Sequence, residues 1–180
     1  MNKASTRWAG RAYRQRETDQ QIYAVGIGSN RLLAGLRPRD IVQQAFRALD
    51  TRPLRLAERS PIISSRPLGP SARSYANAAA IIVTPLRPHA MLDQLQAIER
   101  AFHRRRHRRW GARTLDLDLL LWSGGTVRSK RLTVPHPALA DRGFVLEPLR
   151  AIAPQWRHPI TGLTIRQLTF RLAQPRPSHR

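Results

Sequence analysis

The sequence predicts an α+β fold, in which helices pack on an antiparallel sheet and two short extra helices follow at the C-terminal end. The length of 180 residues is that of one domain. Hydrophobic residues make up 41% of the chain and charged residues 24%, close to the composition of globular proteins. Short apolar runs of strand type alternate with stretches of helical period. We therefore expect a single domain over residues 21–173, with a flexible basic extension at 1–20 and a flexible tail at 174–180.

The first half of the domain is predicted to contain a strand, a helix and a second strand. Residues 22–27 form an apolar and aromatic run that ends in a Gly-Ser-Asn turn at 28–30. A helix is expected to begin at Pro38, because apolar residues recur at helical spacing after it: Ile41, Val42, Ala45, Phe46 and Leu49. Residues 54–65 predict a strand, which Pro61 bends or places at the edge of the sheet.

The second half of the domain is predicted to contain a strand, a helix and a fourth strand. Residues 77–84 and 115–122 are the two strands. The helix runs from residue 88 to about 103, with one apolar face formed by Met91, Leu92, Leu95, Ile98 and Phe102. The resulting βαββαβ order is that of the ferredoxin-like fold, with helices on one face of the sheet. Residues 138–152 and 163–173 predict the two extra helices.

The charge of the chain is strongly positive. Its 32 basic and 11 acidic residues give a formal net charge of +21, which attracts polyanions such as nucleic acid, acidic lipid or a phosphorylated small molecule. Only Lys3 and Lys130 are lysines, so the other 30 basic residues are arginines. A genome rich in GC codons explains such a bias equally well. Non-specific polyanion binding is expected in either case.

Several classes of protein are excluded or disfavoured by composition. The chain has no cysteine, which rules out disulfides, thiolate nucleophiles and cysteine-ligated zinc. Its apolar runs are far shorter than the roughly 18 residues that span a bilayer, and no secretory apolar region follows the basic start. We therefore expect a cytoplasmic protein without a membrane partner. A monomer is also expected. Residues 26–31 lack the third glycine of a dinucleotide fingerprint, and no Walker A sequence occurs.

Two acids stand in the middle of an otherwise apolar predicted strand, in the segment RWGARTLDLDLLLW at 109–122. Alternation directs one set of side chains into a core, namely Leu115, Leu117, Leu119 and Leu121. Asp116 and Asp118 then project together from the opposite face, about 7 Å apart along the strand. Adjacent carboxylates repel unless a cation lies beside them, and Mg²⁺ prefers such oxygen ligands together with phosphate oxygens. Pairing of both acids with arginines on an exposed face remains open.

Six arginines precede this acid pair, in a predicted loop that leaves the second helix: Arg104, Arg105, Arg106, Arg108, Arg109 and Arg113. A guanidinium binds phosphate oxygens bidentately and stabilises charge on a transferred phosphoryl group. The same cluster also fits binding to a nucleic-acid backbone, or a solvated basic helix end. Charge alone does not separate these three interpretations.

A set of motifs in a fixed order carries a more specific signal. They are YAVGIGSN at 23–30, RPLGP at 66–70, YANAA at 75–79, Ile98-Glu99, the acid-pair segment at 109–122, RLTVPHP at 131–137 and DRGFVLEPL at 141–149. From residue 22 to about 157 the chain resembles the 6-hydroxymethyl-7,8-dihydropterin pyrophosphokinases of folate biosynthesis. The resemblance implies transfer of diphosphate from ATP to the hydroxymethyl group of the pterin, with release of AMP. It also implies two Mg²⁺ ions between the acid pair and the ATP phosphates.

The resemblance assigns roles residue by residue. The implied catalytic residues are Arg104, Arg113, Asp116 and Asp118, of which the two aspartates hold the metal ions. The implied ATP contacts are Gln96, Glu99, Arg106, Leu119, Arg131, Thr133 and His136. The implied pterin contacts are Ser65, Leu68, Tyr75, Asn77 and Phe144. Trp110 and Arg142 correspond to residues near the loops that close over the substrates.

Departures from the family pattern leave the register of the catalytic loop open, and two alternative functions also stay open. His103 replaces the usual glycine before the catalytic-loop arginine and the loop is one residue shorter, so the register among residues 104–106 is not fixed. A paralogue acting on another heterocyclic alcohol would carry the same motifs. A basic ferredoxin-like module that binds nucleic acid is the alternative from another class, although the aromatic-rich strand of such modules is missing.

Overall fold

The computed structural model describes residues 20–65, 75–102 and 114–174. The strands are β1 (Gln21–Ser29), β2 (Arg55–Arg59), β3 (Ile63–Ser65), β4 (Tyr75–Thr84), β5 (Asp116–Trp122), β6 (Val127–Arg128) and β7 (Thr133–Val134). The helices are α1 (Pro38–Ala48), α2 (Pro88–Ala101), α3 (Gly143–Ile152) and α4 (Ile165–Ala173). No helix in these three ranges is long and apolar enough to cross a membrane. The element bounds confirm the four predicted helices and the predicted strands. Two differences are the division of the strand predicted at 54–65 and the additional strands β6 and β7.

The main sheet has the order β2-β4-β1-β5, and all its pairings are antiparallel. Counting only the four long strands of the βαββαβ succession, this is the ferredoxin-like order, which confirms the predicted fold class. β3 pairs with β4 beyond the end of β2. The predicted strand at 54–65 is thus two strands, because Pro61 cannot donate to the ladder. Ser60, between β2 and β3, still bonds to β4. Its backbone N–H donates to the Ala79 carbonyl, and its hydroxyl accepts from the Ala79 N–H.

Each face of the sheet packs against a different pair of helices. On the first face, the strands and the helices α1 and α2 bury one core, which includes Val25, Ile82 and Met91. On the second face, α3 and α4 cover only part of the sheet, in a core that includes Ala24 and Ile81. The two helices of the ferredoxin-like plan therefore share one face as predicted, and the two extra helices cover the other face.

The second face is divided along its strands. Its apolar part is covered by α3 and α4 and contains Ala79 of β4 and Leu120 of β5. Further along the same strands, alternation places Gly26 and Gly28 of β1 on this face. The Cβ atoms that the helices would pack against are missing there. The second face is therefore apolar toward α3 and α4, and becomes polar and glycine-rich at its other end.

The prediction for Leu121 is wrong. The register between β1 and β5 shifts between Ala24 and Val25, which pair with Leu121 and Leu119 respectively. Leu120 is thereby the extra residue of a β-bulge, and Leu120 and Leu121 both pack in the core beneath α3 and α4. Leu117 and Leu119 remain in the first core as predicted.

The turn that leads into α4 contains a buried histidine, His158. Its Nδ1 accepts backbone N–H groups of Ile160 and Thr161, each at 3.3 Å, and its carbonyl accepts from the Gly162 N–H at 2.8 Å. Burial lowers the pKa of the His158 imidazole below its usual 6.5. The fold therefore favours the neutral ring. The corresponding contribution to stability is present above pH 6.5 and is lost as the pH falls below it.

We expect His158→Asn to flatten this pH dependence. The asparagine Oδ1 can accept the same two N–H groups, but it does not take up a proton in this range. Urea unfolding at pH 7.5 and pH 5.5 measures the effect: the free energy of unfolding should fall more between the two pH values in the wild type than in the variant. An equal fall in both proteins would contradict the assignment.

Candidate active site

The glycine-rich end of the second sheet face carries three polar side chains on neighbouring strands. Gly28 of β1 pairs with Asn77 of β4 on one side and with Asp116 of β5 on the other. Gly26 pairs with Ala79 and with Asp118 in the same way. The amide and the two carboxylates therefore lie in two adjacent rows across the sheet. The glycines of β1 lie between the amide on β4 and the carboxylates on β5. Both aspartates are half-buried, whereas Asn77 is 5% exposed.

The missing side chain at Gly28 opens the floor between Asn77 and Asp116. A Cβ placed on Gly28 would lie 3.4 Å from Asn77 Oδ1 and 3.9 Å from Asp116 Cβ. Even a methyl group would thus occupy the space between the amide and the carboxylate. A glycine inside a strand often marks such a close approach of backbone to a ligand. This signal was present in the sequence, yet Gly26 and Gly28 were not among the predicted site residues.

Asn77 is held by a neighbouring strand. Its Nδ2 donates to Ser65 Oγ at 2.7 Å, and Ser65 pairs with Tyr75 in the β3–β4 ladder. Ser65, Tyr75 and Asn77, three of the predicted pterin contacts, thus lie together at one end of the β3–β4 pair. Phe144, another predicted contact, lies in the first turn of α3, which contacts both strands. The Arg142 guanidinium lies over the Phe144 ring at 5.9 Å.

His136 lies beside the acid pair. Its backbone N–H donates to the Leu120 carbonyl at 2.9 Å, which attaches the segment after β7 to β5. Burial lowers the pKa of the His136 imidazole; Asp118 and, more weakly, Asp116 raise it, while Arg142 lowers it. The ring Nδ1 accepts the Ala138 N–H at 3.1 Å. His136 is therefore neutral near pH 7, with its proton on Nε2.

The acid pair fits a magnesium ion by its donor chemistry. Mg²⁺ is commonly bound through one or two carboxylates, with water and substrate phosphates completing its shell. Asp116 and Asp118 provide two half-buried carboxylates on one face of β5. In the described parts of the chain no group of three or more histidines or acids could hold a metal by itself. The two carboxylates would leave the remaining positions around such an ion to water and phosphate oxygens.

Comparison with known proteins identifies the family. A family model described as 7,8-dihydro-6-hydroxymethylpterin-pyrophosphokinase (HPPK) matches residues 24–154. The chain belongs to the HPPK family. The match covers both rows of the site, from the first glycine of β1 to the phenylalanine of α3.

Curated relatives carry the name 2-amino-4-hydroxy-6-hydroxymethyldihydropteridine pyrophosphokinase. The Pseudomonas aeruginosa protein is 44% identical over 142 residues, or 78% of this chain and 85% of that protein. The Methylorubrum extorquens protein is 36% identical over 82% of this chain and 91% of its own length. The Synechocystis protein is 45% identical over 58% of this chain. There the match spans 53% of the relative, about half its length.

A solved structure supports the fold. The crystal structure of Plasmodium falciparum HPPK-DHPS with SDX-DHP superposes with a TM-score of 0.68 at 13% sequence identity. The match covers 84% of this chain and 44% of that one. At this identity the likeness shows that the two chains share a fold, and no more.

The predicted ATP contacts of this HPPK chain do not all lie on the acid-pair face. Leu119 is 4% exposed and its side chain lies in the first core, opposite Asp118, so only its backbone could meet a ligand on the second face. Gln96 is half-buried on α2. Thr133 is exposed at the start of β7, where it pairs with Arg128.

Glu99, also predicted to contact ATP, forms a hydrogen bond within the fold. It is 3% exposed, and its Oε1 accepts the backbone N–H of Leu117 at 2.8 Å. Leu117 lies on β5, which is an edge strand of the sheet. The carboxylate of α2 thereby satisfies a backbone donor between the two aspartates. Glu99 fixes the strand that presents the acid pair.

We expect Glu99→Ala to destabilise the protein by about 1–3 kcal/mol, because the Leu117 N–H would lose its acceptor while buried. Glu99→Gln is the matched control, since it keeps an oxygen at the same position and should lose much less. Urea unfolding of both variants measures the difference. Equal stability of Glu99→Ala and the wild type would show that the bond contributes nothing.

Five predicted HPPK site residues lie outside the described residues: Leu68, Arg104, Arg106, Trp110 and Arg113. They fall in the segments 66–74 and 103–113. The segment 103–113 directly precedes the strand of the acid pair, and 66–74 joins β3 to β4. The roles assigned to these five residues remain predictions.

Proposed function

We propose that this chain transfers the diphosphate group of ATP to the hydroxymethyl group of 6-hydroxymethyl-7,8-dihydropterin, releasing AMP. The observation that carries the proposal is the row of Asn77, Gly28 and Asp116 across three strands. An amide that can read a heterocycle and a carboxylate that can hold a metal ion face a shared open floor. The membership in the HPPK family and the names of its relatives support the same reaction.

The pterin is proposed to lie at the Asn77 end of this floor. The free Oδ1 of Asn77 and its remaining amide hydrogen match the donor and acceptor edge of the heterocycle. Tyr75 and Phe144 are proposed to pack against its flat faces, and Ser65 orients the amide. The hydroxymethyl group then extends over Gly28 toward the aspartates.

Asp116 and Asp118 are proposed to hold two Mg²⁺ ions, which neutralise phosphate charge and align the attacking oxygen when bound. In the reaction the pterin oxygen forms a bond to the β-phosphorus, the bond from that phosphorus to the oxygen bridging to the α-phosphorus breaks, and AMP leaves. The hydroxyl proton is released to solvent, which balances the charge of AMP and the pterin diphosphate against that of ATP. Gln96, Arg131, Thr133 and His136 are proposed to bind ATP, with Glu99 and Leu119 acting through the backbone they fix or supply.

The remaining roles are proposed for Arg142 and for five residues outside the described ranges. Arg104 and Arg113 would stabilise charge on the transferred group, and Arg106 would bind ATP. Trp110 and Arg142 would close over the substrates, and Leu68 would contribute a backbone contact to the pterin. Exclusion of water by such closure protects ATP from hydrolysis.

We further propose a cytoplasmic monomer, since a net charge of +21 opposes self-association of the chain. The same charge would give weak, salt-sensitive binding to nucleic acid, without a specific partner. Sedimentation at 0.15 M salt tests the monomer, and a salt titration of DNA binding tests the second point.

Product analysis tests the proposed reaction. The chain is incubated with ATP, Mg²⁺ and the reduced pterin alcohol, and the nucleotide formed is identified. AMP formed in equal amount to pterin diphosphate supports the proposal. ADP would indicate transfer of a single phosphoryl group, and turnover of neither substrate would favour a binding protein. A second heterocyclic alcohol turned over faster than the pterin would point to the paralogous activity.

A further inference from the structure

The turn between β6 and β7 is attached to helix α2 by two side chains. Ser129 Oγ accepts the backbone N–H of Leu132 at 3.1 Å, and it lies 3.1 Å from Nε2 of His89. The Arg131 guanidinium donates through Nη2 to Asp93 Oδ1 at 2.5 Å. His89 and Asp93 are four residues apart on α2, so they lie on one face of that helix. The two contacts fix a short hairpin whose own ladder has only two residue pairs.

This hairpin leads directly to the candidate active site. Arg131 stands two residues before Thr133, which begins β7. After β7, the backbone N–H of His136 bonds to Leu120 of β5, and His136 interacts electrostatically with Asp118. The Asp93–Arg131 ion pair therefore lies at one end of the segment 131–136. His136, at the other end of this segment, lies beside the acid pair.

Asp93 holds the Arg131 guanidinium but leaves most of its N–H donors available. The side chains of Arg131 and Asp93 are 56% and 57% exposed. A guanidinium has five N–H donors in a fixed plane, and the contact with Asp93 is made through one nitrogen. The other donors remain available to an anion. An exposed ion pair contributes about 0–1 kcal/mol to stability, so the fold does not depend on it.

We propose that Asp93 is a positioning residue for nucleotide binding, which orients the Arg131 guanidinium toward the ATP site before ATP arrives. The proposal rests on the proposed function, because it takes Arg131 as a contact of ATP. The chain has 11 acidic and 32 basic residues, and Asp93 is the acid to which the Arg131 guanidinium donates. An arginine that is already oriented loses less side-chain entropy when ATP binds.

The test is Asp93→Asn in the full chain, with the dissociation constant of MgATP measured by calorimetry and KM and kcat measured by AMP release. Since an exposed ion pair is worth up to about 1 kcal/mol, we expect the dissociation constant and the KM for ATP to rise about two- to fivefold. The kcat value, the KM for pterin and the melting temperature should stay as in the wild type. Glu147→Gln is the matched control, because it removes one exposed acid on α3 and should change none of these values.

A double-mutant cycle shows whether Asp93 acts through Arg131. In an Arg131→Gln background, Asp93→Asn should have no further effect on ATP affinity. An unchanged or tighter ATP affinity for Asp93→Asn, the same loss in both backgrounds, or the same loss in Glu147→Gln would overturn the proposal. If the wild type binds MgATP but releases no AMP with the pterin, the proposed function fails while the affinity test of Asp93 still applies. If the wild type does not bind MgATP, both fail.

Discussion

Asp118→Asn is expected to lower the rate of AMP formation by several orders of magnitude while the fold is retained. Asp118 is half-buried on the glycine-rich face, opposite Gly26, and the substitution keeps its size. A neutral amide binds Mg²⁺ far more weakly than a carboxylate, and phosphate charge in the transition state would then lack its counterion. Asp116→Asn should behave alike. The measurement is single-turnover formation of AMP at saturating ATP, Mg²⁺ and pterin.

Glu147→Gln serves as the charge control for these variants, because it removes one exposed acid from α3. Its rate should stay close to that of the wild type. Thermal melting of all three variants checks that the sheet is intact. If Asp118→Asn retained near-normal turnover, the metal-binding role of the acid pair would be refuted.

Most of the fold follows from patterns that the sequence displays over a full element. α1 and α2 each carry a long apolar face and begin at a proline, and both lie where predicted. The errors have local causes. A bulge at Leu120 moves Leu121 to the other core, and alternation alone cannot reveal an extra residue in one strand. The strands β6 and β7 have two residues each, too few for any period to show.

The candidate site was predictable to different degrees at different residues. Alternation in β5 predicts that Asp116 and Asp118 share a face, and their burial agrees with it. The position of Asn77 opposite Gly28 depends on the register of β4 against β1, which no single strand specifies. Only the family motifs connected these residues before the structure did. Asp93 carried no signal, because its partner Arg131 lies 38 residues further along the chain.

Asn77→Leu is expected to raise the KM for pterin about ten- to hundredfold, since a lost hydrogen bond to a buried group costs about 1–3 kcal/mol. Leucine has a similar size, so the floor above Gly28 keeps its shape while the amide is lost. The edge of the heterocycle would then meet an apolar surface and leave its own polar groups unpaired. The KM for ATP should stay near its wild-type value, because the acid pair lies on β5, on the other side of β1 from Asn77.

Ser65→Ala separates recognition by Asn77 from its orientation. This variant removes the hydroxyl that accepts from Asn77 Nδ2 at 2.7 Å but leaves the amide in place. The KM for pterin should then rise less than in Asn77→Leu, because the Asn77 Oδ1 and one amide hydrogen can still meet the substrate. Initial rates at varied pterin and saturating ATP give both values. A pterin KM unchanged by Asn77→Leu, or an equal rise in the KM for both substrates, would show that the heterocycle does not bind at β4. The row across β4, β1 and β5 could then not carry the proposed reaction.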